Sequence, residues 1–129
     1  MATIRTFEEL AAWKKARELA NAIYALTNDT PLAKDFGLRD QLRRASVSVL
    51  SNIAEGFERD TTPDFIHFLF MAKGSAGEIR AQLYVALDQN LISKEQFDNA
   101  STSARHVSGI IARLITYLKG RKTEGAKGK

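Results

Sequence analysis

Four long stretches of the sequence repeat apolar residues at alternating spacings of three and four, which is the spacing of one face of an α-helix. The third stretch is the most regular, with the series Phe65, Leu69, Ala72, Ala76, Ile79, Leu83 and Ala86. No segment of any length alternates apolar and polar residues as a half-buried β-strand would. The pattern therefore predicts an all-α protein made of amphipathic helices.

Capping and turn residues divide the chain into four helices. We expect them over about residues 7–28, 38–58, 63–89 and 94–119. Thr6 and Glu9 form a capping-box pattern before the first helix, Ser93 and Gln96 form one before the fourth, and Thr62 is the expected N-cap of the third. Short links make successive helices antiparallel neighbours. The prediction is an up-down-up-down four-helix bundle spanning residues 1–119.

Most of the positive charge of the chain lies in its last ten residues. The whole sequence has a net charge of +4, of which residues 120–129, GRKTEGAKGK, carry +3. This segment lacks the apolar content needed to fold, so we expect a disordered basic tail. Residues 1–119 carry a net charge of only +1, so charge alone is weak support for nucleic-acid binding.

The residue types that carry catalysis or bind metals are sparse. The chain has no cysteine, which excludes disulfides and thiolate sites, and it lacks phosphate-binding and nucleophile motifs. Asp64 and His67 have the spacing of one half of a two-metal site, but Ser103 stands where His106 would need its carboxylate partner. We expect no enzyme activity, no metal and no cofactor. No apolar run reaches the roughly 18 residues that a membrane span requires, so we expect a cytoplasmic protein without membrane contact.

The second predicted helix carries arginines beside small polar residues. Such an edge can be a solvated face, a helix–helix contact or a surface for an anionic ligand. The candidate nucleic-acid-binding residues are Arg39, Arg43, Arg44, Arg59, Arg121 and Lys122.

The turn between the second and third helices predicts which residues face each other. If it centres near Asp60, then Arg44 lies level with Glu78 and Ser48 with Gly74. We therefore expect Arg44 or Arg43 to form an ion pair with Glu78. The small residues Gly74, Ser75 and Gly77 predict a close approach of another backbone, because glycine in mid-helix costs stability without such a reason. These small residues form the second list: Gly74, Ser75 and Gly77.

Aromatic residues crowd the start of the third helix. Phe65, Phe68 and Phe70 cannot all face one core, so part of this ring should be exposed on a single subunit. A helix that is apolar on several sides needs a further partner. Self-association is the simplest source of that burial.

The segment QLRRASVSVLSNIAEGFER at residues 41–59 resembles a known family, as do FxxFL at 65–69, AKGSAGE at 72–78 and FEELAAWKKA at 7–16. The family is that of the bacterial proteins named after the 23S rRNA intervening sequence. The resemblance implies an antiparallel four-helix bundle, commonly a ring-like homopentamer, with no established catalytic activity or cofactor. The positions that match the family motifs are Arg43, Arg44, Asn52, Glu55, Gly56, Arg59, Gly74, Ser75 and Glu78.

Pattern and resemblance together lead to several functional hypotheses. The first is a non-enzymatic homo-oligomeric module that binds RNA, DNA or a ribonucleoprotein partner. The second is a structural adaptor that docks another protein and has no nucleic-acid role. A third follows from a related branch, the accessory variability proteins of diversity-generating retroelements, which are basic pentamers that bind nucleic acid and a reverse transcriptase.

Overall fold

The computed structural model describes residues 3–121 and confirms the all-α prediction. Four α-helices follow one another along the chain: α1 (Ala11–Asp29), α2 (Phe36–Phe57), α3 (Thr62–Asp88) and α4 (Lys94–Arg121). Short 3-10 helices precede α1 and α2, at Phe7–Glu9 and Pro31–Lys34. No β-strand occurs among the described residues. The predicted tail beyond Arg121 lies outside them.

The helices form a four-helix bundle in which each one packs against its neighbours in the chain. The fourth helix, α4, also packs against α1 and closes the bundle. Because every link is short, neighbouring helices run antiparallel, as predicted. The helix pairs α1 with α3 and α2 with α4 therefore lie diagonally across the core.

The predicted apolar series form one continuous core. All four helices contribute fully buried residues to it, including Leu19, Leu42, Leu69 and Ile111. Each such leucine or isoleucine stabilises the fold by roughly 1.5–3 kcal/mol relative to an exposed position. The core accounts for one side of every helix and leaves the opposite sides to solvent or to partners.

The prediction for the start of the first helix was wrong. Thr6 precedes only the short 3-10 helix Phe7–Glu9, without a capping bond from its side chain, and α1 begins at Ala11. Leu10 adopts an extended conformation between the two and is buried. This break lets Phe7 pack edge-on against Trp13, with the ring centroids 5.1 Å apart. Tertiary packing of Leu10 and Phe7 therefore overrides the local capping signal.

Local hydrogen bonds set the other helix starts. The Asp35 carboxylate accepts a bond from the Leu38 N–H at 3.1 Å, so α2 begins at Phe36, two residues earlier than predicted. Thr61, and not Thr62, caps α3, because its hydroxyl accepts from the Asp64 N–H at 3.2 Å.

The predicted capping box before α4 is confirmed. The Ser93 hydroxyl accepts from the Gln96 N–H at 3.1 Å, and the Gln96 side chain accepts from the Ser93 N–H at 2.8 Å. The two bonds satisfy donors that the first helical turn leaves free. At its other end, α4 runs past Gly120 to Arg121.

The end of α3 is closed by Asn90 in a left-handed conformation. Its φ is 59°, and the Leu91 N–H donates to the Ala86 carbonyl at 2.9 Å while the Asn90 N–H donates to the Leu87 carbonyl at 3.0 Å. This pair of bonds is the Schellman motif, in which asparagine is the usual substitute for glycine. It stops α3 sharply and lets the chain turn into α4.

Side-chain contacts confirm the predicted register of α2 and α3 to within one residue. The Ser48 and Ser75 hydroxyls are 2.9 Å apart, and Gln82 donates to Gln41 at 3.3 Å. In this register Arg44 lies opposite Ile79, whose side chain is buried in the core.

The predicted ion pair of Glu78 with Arg43 or Arg44 is wrong. Within residues 3–121 neither arginine lies within ion-pair distance of Glu78. The Arg44 and Glu78 side chains are both exposed, and Arg43 turns toward α1.

The closest approach of α2 and α3 occurs at Gly56 and not at the glycines of α3. A Cβ atom at Gly56 would lie 2.7 Å from the Phe68 Cβ and 3.0 Å from the Phe65 ring. At Gly74 and Gly77 a Cβ would meet nothing within 4 Å. The predicted backbone approach at these two glycines is therefore wrong within the subunit, although Ser75 does contact α2.

We predict that Gly56→Ala lowers the free energy of unfolding by about 1–3 kcal/mol, because the added methyl group must displace α3. Urea denaturation followed by circular dichroism measures the change. Gly37→Ala is the matched control in the same helix, since its Cβ would meet only Asp35 Oδ1 at 4.0 Å. Equal stability of the two variants would contradict the close packing at Gly56.

Candidate interaction surfaces

The third helix exposes a second apolar side, which we call the outer face of α3. It is the side of α3 directed away from the core and comprises Phe70, Met71, Gly74, Gly77, Ala81, Tyr84 and Val85. The large side chains on it are 44–57% exposed, a high value for phenylalanine, methionine, tyrosine and valine. Glu78 lies among them as a charged residue.

The arrangement along the outer face of α3 is large, small, large. Phe70 and Met71 lie at one end, and Tyr84 and Val85 lie at the other. Between them Gly74 and Gly77 leave the helix backbone open, with nothing within 4 Å of the Cβ positions. Small residues flanked by aromatic and aliphatic ones allow another chain to come close and still bury apolar area.

The predicted ring of aromatic residues divides between the core and the surface. Phe65 is buried at 2% exposure, Phe68 is half-buried, and Phe70 is 49% exposed. The expectation that part of this ring is exposed on one subunit is therefore confirmed.

Arg43 bridges α1 and α2 with most of its guanidinium. Its Nε donates to the Thr27 hydroxyl at 2.8 Å, and its Nη2 donates to Asn28 Oδ1 at 2.8 Å. The guanidinium carbon also lies 4.7 Å from the centroid of the Tyr24 ring. Thr27 is fully buried and donates in turn to the Ile23 carbonyl at 2.8 Å. These contacts give Arg43 a structural role at the α1–α2 contact.

Two further candidate arginines interact with their own helix and its flanks. Arg39 pairs with Asp40 at 2.9 Å and lies over the Phe36 ring. Arg59 pairs with Glu55 at 3.0 Å and lies over the Phe68 ring. Each guanidinium is thus partly neutralised by a carboxylate on the same chain.

The remaining candidates differ in their surroundings. Arg44 is exposed and forms no ion pair with a carboxylate of residues 3–121. Arg121 donates to the Tyr117 hydroxyl at 2.6 Å. Lys122 lies outside the described residues. The structure therefore does not bring the six candidates together on one surface.

Sequence reasoning missed a concentration of positive charge on α4. From Asn99 to Arg121 the sequence contains no aspartate or glutamate, while Arg105, Arg113 and Lys119 are all exposed. The absence of acidic residues from this stretch was the available signal. It was hidden because the net charge was averaged over the whole bundle.

The grooves of the bundle are shallow and offer no reactive cluster. One of about 350 Å³ lies between α1 and α4, lined by Ala22, Leu26, Asp29, Gln96 and Asn99 among others. No group of three or more histidine, cysteine or acidic residues that could hold a metal occurs in residues 3–121. Over the same range no helix is long and apolar enough to cross a membrane.

Comparison with known proteins identifies the family. The model of the family described as 23S rRNA-intervening sequence protein matches residues 8–113, which is most of the chain. This protein belongs to that family. The comparison with curated proteins gave no match.

A solved structure shares the fold of this family member. It is the crystal structure, at 1.70 Å resolution, of a protein of unknown function from the S23 ribosomal protein family of Bacteroides thetaiotaomicron VPI-5482. The two superpose with a TM-score of 0.75 at 24% sequence identity, over 81% of this chain and 98% of the other. The likeness shows the four-helix fold.

In this family member the motif positions of α2 lie at the α2–α3 contact and at the end of α2. Asn52 Nδ2 donates to the Ser48 carbonyl at 2.9 Å and to the Ser48 hydroxyl at 3.0 Å. The same hydroxyl contacts Ser75 across the two helices, and Gly56 admits Phe68. These positions therefore serve packing, whereas Gly74 and Glu78 are exposed on α3.

We predict that Arg43→Ala lowers the free energy of unfolding by about 1–3 kcal/mol, since it removes two charge-assisted hydrogen bonds at the α1–α2 contact. Arg44→Ala is the adjacent control and should change stability by less than about 0.5 kcal/mol, as exposed substitutions usually do. Urea denaturation of both variants decides it. If the two lose the same stability, Arg43 does not bridge the helices as described.

Proposed function

We propose that this protein is a cytoplasmic, non-enzymatic binding module that assembles from several copies of its own chain. The observation that carries the proposal is the outer face of α3, where an apolar side of a helix remains exposed after the core is complete. Exposed contiguous apolar surface on a helix is typical of a protein–protein contact.

The composition of the outer face of α3 supports close helix–helix contact. Burial of Phe70 and Tyr84 supplies the largest apolar gain, because aromatic side chains bury the most area per residue. Gly74 and Gly77 carry no side chain to keep a neighbouring backbone away, and each costs roughly 1 kcal/mol of helix propensity relative to alanine. A second copy packed over them would offset that cost.

A second copy of the same chain is the occupant that the charges favour. Residues 1–119 carry a net charge of only +1, so copies repel one another weakly. The outer face of α3 itself holds few charges, which keeps the desolvation cost of contact low. The resemblance to the family implies a ring of five copies, and we adopt that number as part of the proposal.

Nucleic acid is the ligand class that we propose for this module. The support is the excess of arginine and lysine over acidic residues on α4. Contact with a phosphate backbone needs such cations and needs no reactive group. A protein-docking adaptor without nucleic-acid binding remains the competing function, and it predicts no retention of RNA at low salt.

We predict that the purified protein has a mass several times its chain mass of 14.3 kDa in size exclusion with light scattering. Ala81→Arg should release monomers, because it places a charge and a long side chain in the middle of the outer face of α3. Ala81→Ser is the control at the same position, since it keeps the residue small and should keep the native mass.

Two results would count against the assembly. One is a wild-type mass equal to that of the single chain. The other is an Ala81→Arg variant that keeps the wild-type mass while circular dichroism shows an intact helical fold.

A further inference from the structure

We infer that a strip of cations on α4 and the adjoining edge of α3 binds the phosphate backbone of RNA. The strip, which we call the α4 strip, consists of Arg105, Arg113 and Lys119 on α4 with Lys73 and Arg80 on α3. The inference rests on the proposed function as a binding module. It assigns the ligand surface to residues other than the arginines of α2.

The cations of α4 follow its solvent side in one line. At 1.5 Å per residue, Arg105 and Arg113 lie about 12 Å apart along the axis, and Lys119 lies about 9 Å further on. All three side chains are exposed. The line is long enough to follow several consecutive phosphates of a nucleic-acid strand.

Contacts between α3 and α4 place the other two cations beside this line. Phe70 lies 5.1 Å from the Lys119 ammonium, and the Tyr84 and Phe97 rings are 4.8 Å apart. Phe70 and Tyr84 therefore mark the edge of α3 that faces α4. Lys73 and Arg80 lie between them on that edge, at the helical spacings of three and four.

The cations of the α4 strip lack acidic partners. In the described part of the chain none of the five lies within ion-pair distance of a carboxylate. Arg105 donates only to the Thr102 hydroxyl, at 3.3 Å. The Arg113 Nη1 lies back over Gly109, 3.6 Å from where a Cβ would be. The nearest acidic residue along α4, Asp98, is already paired with Lys94 at 2.6 Å.

Arg80 adds a donor that the protein itself leaves unused. Its Nε is buried and has no hydrogen-bond partner among the described residues. An anion held over the α3–α4 groove would supply acceptors beside it. Arg39 and Arg59, in contrast, already donate to Asp40 and Glu55.

The absence of apolar anchors favours a nucleic acid over a protein or membrane partner. None of the exposed large hydrophobic residues in the described chain belongs to α4. Protein interfaces rely on buried aromatic and aliphatic anchors, and amphipathic membrane helices rely on an apolar side. The α4 strip instead combines cations with the exposed hydroxyls of Thr102 and Thr116, which are common donors to phosphate oxygens. Binding should therefore depend little on base sequence.

The test is fluorescence anisotropy with a labelled single-stranded RNA at low salt, titrated with the full-length protein. Arg105→Gln combined with Arg113→Gln should weaken binding several-fold and reduce the slope of log K against log salt by about 2, since each lost phosphate contact reduces it by about 1. Scrambling the RNA sequence should leave the affinity unchanged.

The matched control is Lys14→Gln combined with Arg17→Gln, which removes the same charge from α1. These two exposed side chains share their surface with Glu8 and Glu18, so the affinity should remain close to that of the wild type. Equal weakening by the two double variants would overturn the inference, because it would show only the effect of net charge. Unchanged binding by the α4 variant, or retention of a polyglutamate peptide but not of RNA, would also overturn it.

The mass measured by light scattering separates this inference from the assembly proposal. A multimeric wild type that does not retain RNA at low salt overturns the α4 strip and leaves the assembly standing. A monomer that binds RNA through Arg105 and Arg113 supports the strip and removes the assembly.

Discussion

A four-helix bundle can bury only one side of each helix, and α3 is apolar on two. Its inner series, from Phe65 to Ala86, completes the core with residues that are almost fully buried. The opposite side, with Phe70 and Tyr84 at its ends, has no partner within the subunit. The close approach of α2 at Gly56 fixes how α3 is rotated about its axis, and therefore which of its residues face outward. Assembly is the consequence that we draw from this constraint.

The same rotation divides the positive charges into two groups with different roles. Arg43, Arg39 and Arg59 lie next to acceptors and aromatic rings of their own chain, where they stabilise helix ends and contacts. The cations of the α4 strip have no such neighbours, so their charge is available to a partner. A nearly neutral bundle can thus present a locally basic surface, because its carboxylates lie elsewhere. The balance of charge within one helix is more informative here than the net charge of the domain.

The sequence predicted helix number, order and register well, because apolar spacing and turn chemistry determine them directly. It failed where tertiary packing chose between local options. Leu10 broke the expected first helix by entering the core, and Arg43 turned to Thr27 on α1 and not to Glu78. Glycines were the hardest to interpret: Gly56 marks a close approach, whereas Gly74 faces open space, and only the position of the neighbouring helix separates the two.

The central claim is that a neighbouring copy covers the outer face of α3. Hydroxyl-radical footprinting of the native protein tests it most directly, because the labelling of a side chain reports its access to solvent. Tyr24 and Tyr84 provide the comparison, since they are 40% and 57% exposed on the single subunit. The account predicts that Tyr84, Phe70 and Met71 are protected while Tyr24 is labelled. Labelling of Tyr84 at least as strong as that of Tyr24, as the isolated subunit would show, would contradict it.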